Sequence, residues 1–182
     1  MQTFAVYVDN KPGVLNRVAS LFRRRAFNIE SLTVGHTEMP GVSRMTIVVD
    51  TDERGARLVE ANLYKLIPVR RVDNITRVPT IGRDLAMIKV AATGDARTQV
   101  MQLVDVYRSR IVDVSPESLV IETTGTEDKI DSLVEVLRPY GVIEMVRTGR
   151  VEMARGIMQP TPVGTEQPER RKAPRDAAAG SV

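Results

Sequence analysis

The chain has 182 residues, enough for one large or two small domains, and its 42% hydrophobic and 27% charged content excludes wholesale disorder. Its net charge of +3 comes from 26 basic and 23 acidic residues that are interspersed, and 4% aromatic content leaves little for stacking on bases, so a nucleic-acid partner is not expected. The absence of cysteine excludes disulfides, thiolate nucleophiles and thiolate metal sites.

Residues 3–9 read as a mostly apolar strand, central in its sheet. It breaks at Asp9-Asn10-Lys11-Pro12-Gly13, a dense turn signal with a proline where a helix can begin. Val14, Leu15, Val18, Leu21 and Phe22 then form one helical stripe. The stripe ends at Arg23-Arg24-Arg25, whose charges either complement the helix dipole or face an acidic partner. A strand is expected over 29–34, a loop over 36–41 containing Pro40-Gly41, and a strand over 43–49 with Met45, Ile47 and Val49 on one face. Asp50-Thr51-Asp52-Glu53 supplies caps and early acids for a helix over 53–66, with Ala56, Val59, Leu63 and Leu66 inward and Pro68 as its stop. A strand over 69–75 completes the order β-α-β-β-α-β.

The same order recurs. A strand over 85–92 leads to a helix over 95–108, with Val100, Leu103, Val104 and Tyr107 on one side. Strands over 111–114 and 119–124 flank Pro116. Thr126 then caps a helix ending near Leu137, with Ile130, Leu133 and Val134 inward and Pro139 just beyond it. A last strand spans 142–147. The halves share little sequence, so the repeat is one of architecture. The expected fold is α+β: two tandem ferredoxin-like βαββαβ domains over 1–77 and 85–156, joined by a linker over 78–84. Residues 157–182 are rich in proline, alanine and charge and are expected to form a disordered tail. Val48 puts an apolar side chain on the face opposite Ile47, which predicts sheet pairing with another domain or protomer, and hence a homodimer. No apolar run approaches the roughly 20 residues of a membrane span. The N-terminus lacks the order of a signal peptide, and the chain is read as cytoplasmic and not membrane-bound.

One stretch carries ligand chemistry. At a helix start the first N–H groups have no internal partner and the dipole is positive, so the main chain can hold a carboxylate there if no side chain intervenes. Gly13 leaves that approach open, and Asn10 offers a carbonyl to an ammonium group. Together they match the two charges of a free α-amino acid; the plainer reading is that Pro-Gly simply starts a helix well. Asn28, before Ile29, is either a left-handed helix cap or a ligand contact reached across a dimer interface. The residues alone leave both choices open. His36, the single histidine, reads as a surface loop residue. Asp128, Asp131 and Glu135 beside Lys129 read as a solvated helix face. The sequence offers no catalytic constellation, no Gly-rich phosphate loop and no acidic metal cluster.

The run Asp9 to Val18 resembles the opening of an ACT domain, an amino-acid-binding regulatory module. Asn28-Ile29-Glu30-Ser31-Leu32-Thr33-Val34, Ser43-Arg44-Met45-Thr46-Ile47-Val48 and Lys65-Leu66-Ile67-Pro68-Val69 are similar to the small-subunit family of acetolactate (acetohydroxyacid) synthase. Ile111-Val112-Asp113-Val114 and Val146-Arg147-Thr148-Gly149 agree with it in the second half. The likeness covers roughly residues 2–156 and omits the tail. It implies a non-catalytic regulatory subunit that activates a large catalytic subunit and confers feedback inhibition by valine or another branched-chain amino acid. It further implies that thiamine diphosphate, magnesium and FAD sit on the catalytic partner, with none held by this chain. Carried over residue by residue, Asn10, Gly13, Val14 and Leu15 hold the effector from one protomer, and Asn28 and Ile29 from the other, in a homodimer formed through the ACT domains. Gly35 lies where small residues matter in that family. Two rival readings are weaker. An ACT-domain sensor of a different enzyme shares the first half, and an RNA-binding module shares the element order. The latter needs aromatics together on central strands, whereas Phe4 and Tyr7 are an odd number apart.

Overall fold

Side-chain alternation along the first strand decides which face of the first sheet is covered. The computed structural model describes residues 1–156, so the tail expected over 157–182 lies outside the described residues. In β1 (Gln2–Asp9), Phe4, Val6 and Val8 point to a buried face, while Thr3, Ala5 and Tyr7 point to the other. α1 (Val14–Arg24) and α2 (Glu53–Leu63) lie on the first of these faces, contributing Val14, Val18, Phe22, Ala56, Val59 and Leu63 to one core. β2 (Ile29–His36), β3 (Val42–Val49) and β4 (Val69–Asn74) complete an antiparallel sheet in the order β2-β3-β1-β4. Its edges are therefore β2 and β4.

The second unit repeats this plan with β5 (Thr80–Ala91), α3 (Gly94–Val106), β6 (Arg110–Val114), β7 (Ser118–Gly125), α4 (Glu127–Leu137) and β8 (Val142–Arg147), in the order β6-β7-β5-β8. Ile88, Val90, Val100, Val104, Ile121, Ile130 and Leu133 form a separate core. The α+β fold of two βαββαβ-like units is thus present as expected from the sequence.

Four details differ from the sequence reading. The second helix stops at Leu63, because the Leu66 amide turns back to the Leu63 carbonyl (3.0 Å) ahead of Pro68. Thr126 stands at the start of α4 but makes no side-chain cap, whereas the Asp52 carboxylate accepts from the Gly55 amide of α2 at 2.7 Å. The left-handed residue after α1 is Ala26 (φ 54°), not Asn28, and the Phe27 amide closes the turn on the Phe22 carbonyl. The segment expected as a linker over 78–84 is largely strand. Thr80–Arg83, the first third of β5, pairs with an unforeseen strand, β9 (Val151–Ala154).

That ribbon answers the question posed by Val48. Thr3, Ala5, Thr46, Val48 and Ile75 are all buried on the helix-free face of the first sheet, and β9 reaches across that face. Thr33 Oγ1 donates to the Arg150 carbonyl (2.9 Å), the Arg150 amide donates to Ser31 Oγ (3.0 Å), and Arg44 donates to the Glu152 carbonyl. Val48 is covered within one chain and carries no argument for a dimer.

Arg108 ends α3 as Ala26 ends α1, with φ 50°. A side chain in the left-handed region costs about 1–2 kcal/mol that glycine avoids. Arg108→Gly is therefore expected to raise stability by about 1 kcal/mol, read as a higher urea midpoint at unchanged slope.

Candidate functional site

The turn from β1 into α1 is built by short-range bonds. The Asn10 amide donates to the Gly41 carbonyl (2.9 Å), and the Lys11 amide to the Asp9 carbonyl (3.0 Å). Gly13 is the residue before the helix and adopts φ 80°, ψ −4°, a left-handed conformation open to glycine at no cost. A Cβ built there meets nothing within 4 Å, so the space in front of the helix start is open. The Val14 amide reaches the Lys11 carbonyl over a long 3.4 Å. Among the described residues, no acceptor faces the Leu15 and Asn16 amides, which remain available to an anion.

The side chains divide sharply. Val14 is buried at 5% exposure, so its side chain belongs to the core and only its main chain can serve the site. Leu15 was expected in the helical core stripe, yet it is 45% exposed and borders Gly13 with an uncovered apolar surface. Asn10 is exposed, and its Nδ2 lies 3.4 Å from His36 Nδ1, leaving Oδ1 open. His36, read from sequence as a plain loop residue, ends β2 beside this turn; only the β2–β3 pairing reveals that. The Arg70 hydrogen bond holds the Asp9 carboxyl below the usual carboxylate range, against an opposing push from burial, and Lys11 adds to the lowering.

That shift has a sign that can be checked. A carboxylate with a lowered folded pKa stabilises the fold above its unfolded value of about 3.9, and the gain is lost as pH falls through the folded value. Between about pH 5 and pH 2, the urea midpoint should fall further in the parent chain than in Asp9→Asn.

Asn28 and Ile29 sit elsewhere. Asn28 is exposed and donates to the Glu30 carboxylate, and Ile29 is half-buried against the first core. Along the sheet, Asp9 pairs with Val42 and Ile29 with Val49, so the two groups lie at opposite ends of β3, about 23 Å apart at the strand rise of about 3.3 Å per residue. One chain therefore does not bring the six residues together. It carries two separated groups: open amides, Asn10 and Leu15 at one end, and Asn28, Ile29 and Glu30 at the other.

A cleft of about 550 Å³ lies between the helix-free face of the first sheet and β9, lined by residues including Tyr7, Thr46, Val151 and Met153, with His36 at the end nearest Asn10. Phe4 and Tyr7 face opposite ways, Phe4 in the core and Tyr7 in this cleft beneath the Arg71 guanidinium at 4.3 Å. No paired aromatic platform for bases is formed there. Among the described residues no group of histidine and carboxylate side chains has metal-binding geometry, and no helix is long and apolar enough to cross a membrane.

Residues 4–71 match the family described as AHAS small subunit-like ACT domain, and residues 83–156 the family described as small subunit of acetolactate synthase. A probable acetolactate synthase small subunit of Archaeoglobus fulgidus is 51% identical over 154 residues, covering 85% of this chain and 96% of its own. The acetolactate synthase small subunit of Bacillus subtilis is 44% identical over 153 residues, covering 84% of this chain and 89% of its own. The crystal structure of the acetolactate synthase small subunit from Thermotoga maritima is similar at a TM-score of 0.82 and 40% identity, covering 86% of this chain and 98% of that one.

Proposed function

The chain belongs to the acetolactate synthase small-subunit family, the non-catalytic regulatory component of that synthase, and we propose that it confers feedback inhibition by valine or a related branched-chain amino acid on a large catalytic subunit. The observation that carries this reading is the separation of the two half-sites, which lie at opposite ends of β3, next to one sheet edge. β2 is that edge, and among the described residues no strand lies beside its outer backbone groups. If β2 pairs antiparallel with β2 of a second copy, Ile29 of one chain falls beside His36 of the other, next to Asn10 and Gly13. A two-fold operation does this twice, completing two equivalent sites from four halves.

Each completed site suits a zwitterion. The open amides of Leu15 and Asn16 take the carboxylate at the positive end of α1. The Asn10 and Asn28 carbonyls take the ammonium group, with the Glu30 carboxylate nearby. Exposed Leu15 and half-buried Ile29 enclose the branched side chain. Because the effector touches both chains, occupancy favours one arrangement of the two first units, and the catalytic subunit meets a changed surface. Thiamine diphosphate, magnesium and FAD belong on that catalytic subunit, and the cytoplasm is the compartment where both chains meet.

The test is acetolactate formation by the catalytic subunit with and without this chain, titrated with valine, leucine and isoleucine. The reading requires activation by the chain and inhibition by at least one of the three; activation without inhibition by any of them would leave only the family assignment standing.

A further inference from the structure

The segment Arg147-Thr148-Gly149-Arg150 takes no part in the effector site, yet its residues tie together β5, α4 and β2. Arg147, at the end of β8, ties β5 to α4: its guanidinium lies 2.7 Å from Asp84 and 2.9 Å from Asp131. Burial works against that cation, and the Asp84 hydrogen bond, with Asp131, more than offsets it, so Arg147 stays charged. Thr148 continues the pairing, its amide donating to the Leu85 carbonyl at 3.0 Å. Gly149 then turns the chain at φ 82°, packed so closely on the first unit that a Cβ there would sit 2.8 Å from Ser31 Oγ. Arg150 faces both ways. Its amide and carbonyl bond Ser31 (3.0 Å) and Thr33 (2.9 Å) on β2, while its guanidinium pairs with Glu127 in the first turn of α4 (2.6 Å). From there β9 runs on across the first sheet.

On the β2 side the contact falls at an irregular point. The β2–β3 register shifts between Ile29 and Ser31, so Ser31 is the first regularly paired residue after the bulge that follows Asn28 and Ile29. A bulge is where a strand can change its aim with little disturbance to the pairing beyond it. Resting on the reading of Asn28 and Ile29 as half of an effector site, we infer that Arg147–Arg150 is the joint by which effector occupancy on the first unit is conveyed to the second. The effector fixes the start of β2; Ser31 and Thr33 carry that position to the Arg150 main chain; Glu127 and the Arg147 ion pairs pass it to α4 and β5. The chain of contacts is continuous, which gives the two units one physical route for coupling.

The experiment pairs calorimetry of valine binding to the full chain with valine inhibition of the reconstituted holoenzyme. Gly149→Val disrupts the joint from the β9 side. The double variant Ser31→Ala with Thr33→Val removes only its two hydrogen bonds and keeps the test open if Gly149→Val fails to fold. Both variants are expected to bind valine within about threefold of the parent while the inhibition it causes weakens by about 5- to 150-fold, the usual span of coupling between sites. Parent-like inhibition in both variants overturns the joint. So does a loss of inhibition that follows a matching loss of valine affinity, since the contact would then only support the site. Absence of valine heat from the parent chain itself would sink the effector reading, and the joint with it.

Discussion

Gly13→Val is expected to abolish valine inhibition while leaving activation of the catalytic subunit intact. The added side chain enters the open space beside the helix start, in the path of the proposed effector carboxylate toward the Leu15 and Asn16 amides. Hydrogen bonds to a charged group contribute about 1.5–3 kcal/mol each, so blocking even one weakens valine binding by roughly 10- to 150-fold. A second cost is separate. At φ 80° any side chain is strained by about 1–2 kcal/mol, which lowers the stability of the fold and does not by itself alter affinity. Gly13→Ala carries the same strain with less obstruction, so comparing the two substitutions divides the effects. Calorimetry gives the affinity, a urea titration gives the stability, and acetolactate formation gives the retained activation. Parent-like valine inhibition in Gly13→Val would remove the helix start from the site.

How far the sequence reveals this depends on how local each signal is. The first sheet is legible because Phe4, Val6 and Val8 alternate within one strand, and both helices of the unit show their buried stripes within single turns. The start of the candidate site is legible for the same reason: Asn10, Gly13 and Leu15 fall within six consecutive residues. Their surroundings are less so. His36 approaches Asn10 only through the pairing of β2 with β3, and Leu15 shares an apolar period with Val14 and Val18 yet lies on the rim of the stripe, where no element covers it. β9 was invisible because Val151-Glu152-Met153-Ala154 is short and its partner, Thr80–Arg83, lies some seventy residues earlier. A strand of that length has no period to detect, and its stability comes from pairing and from the face it covers. For the same reason Val48 left the choice between domain and protomer open: an apolar residue on a helix-free face reports that something must cover it, not whether the cover is the same chain or another.

The burden of a two-chain site therefore falls on the half-site separation, and mixed dimers test it directly. Gly13→Val damages one half of the site and Asn28→Ala the other, so a homodimer of either variant has both of its sites defective. In a hybrid, one site combines the two lesions, but the other takes Gly13 from the Asn28→Ala chain and Asn28 from the Gly13→Val chain, and is intact. Random mixing makes about half of the dimers hybrids, so about a quarter of all sites should recover full valine affinity. Calorimetry on the mixture, after unfolding and refolding the two variants together, should show that fraction binding as tightly as the parent chain, although neither variant does so alone. A site formed within one chain gives no recovery at any mixing ratio, because every chain then carries its own lesion. The distance already argues against that alternative, since about 23 Å of sheet between the halves is several times the length of an amino acid. Absence of recovery in a mixture shown to contain hybrids would overturn the antiparallel β2 pairing and return the effector to a single helix start.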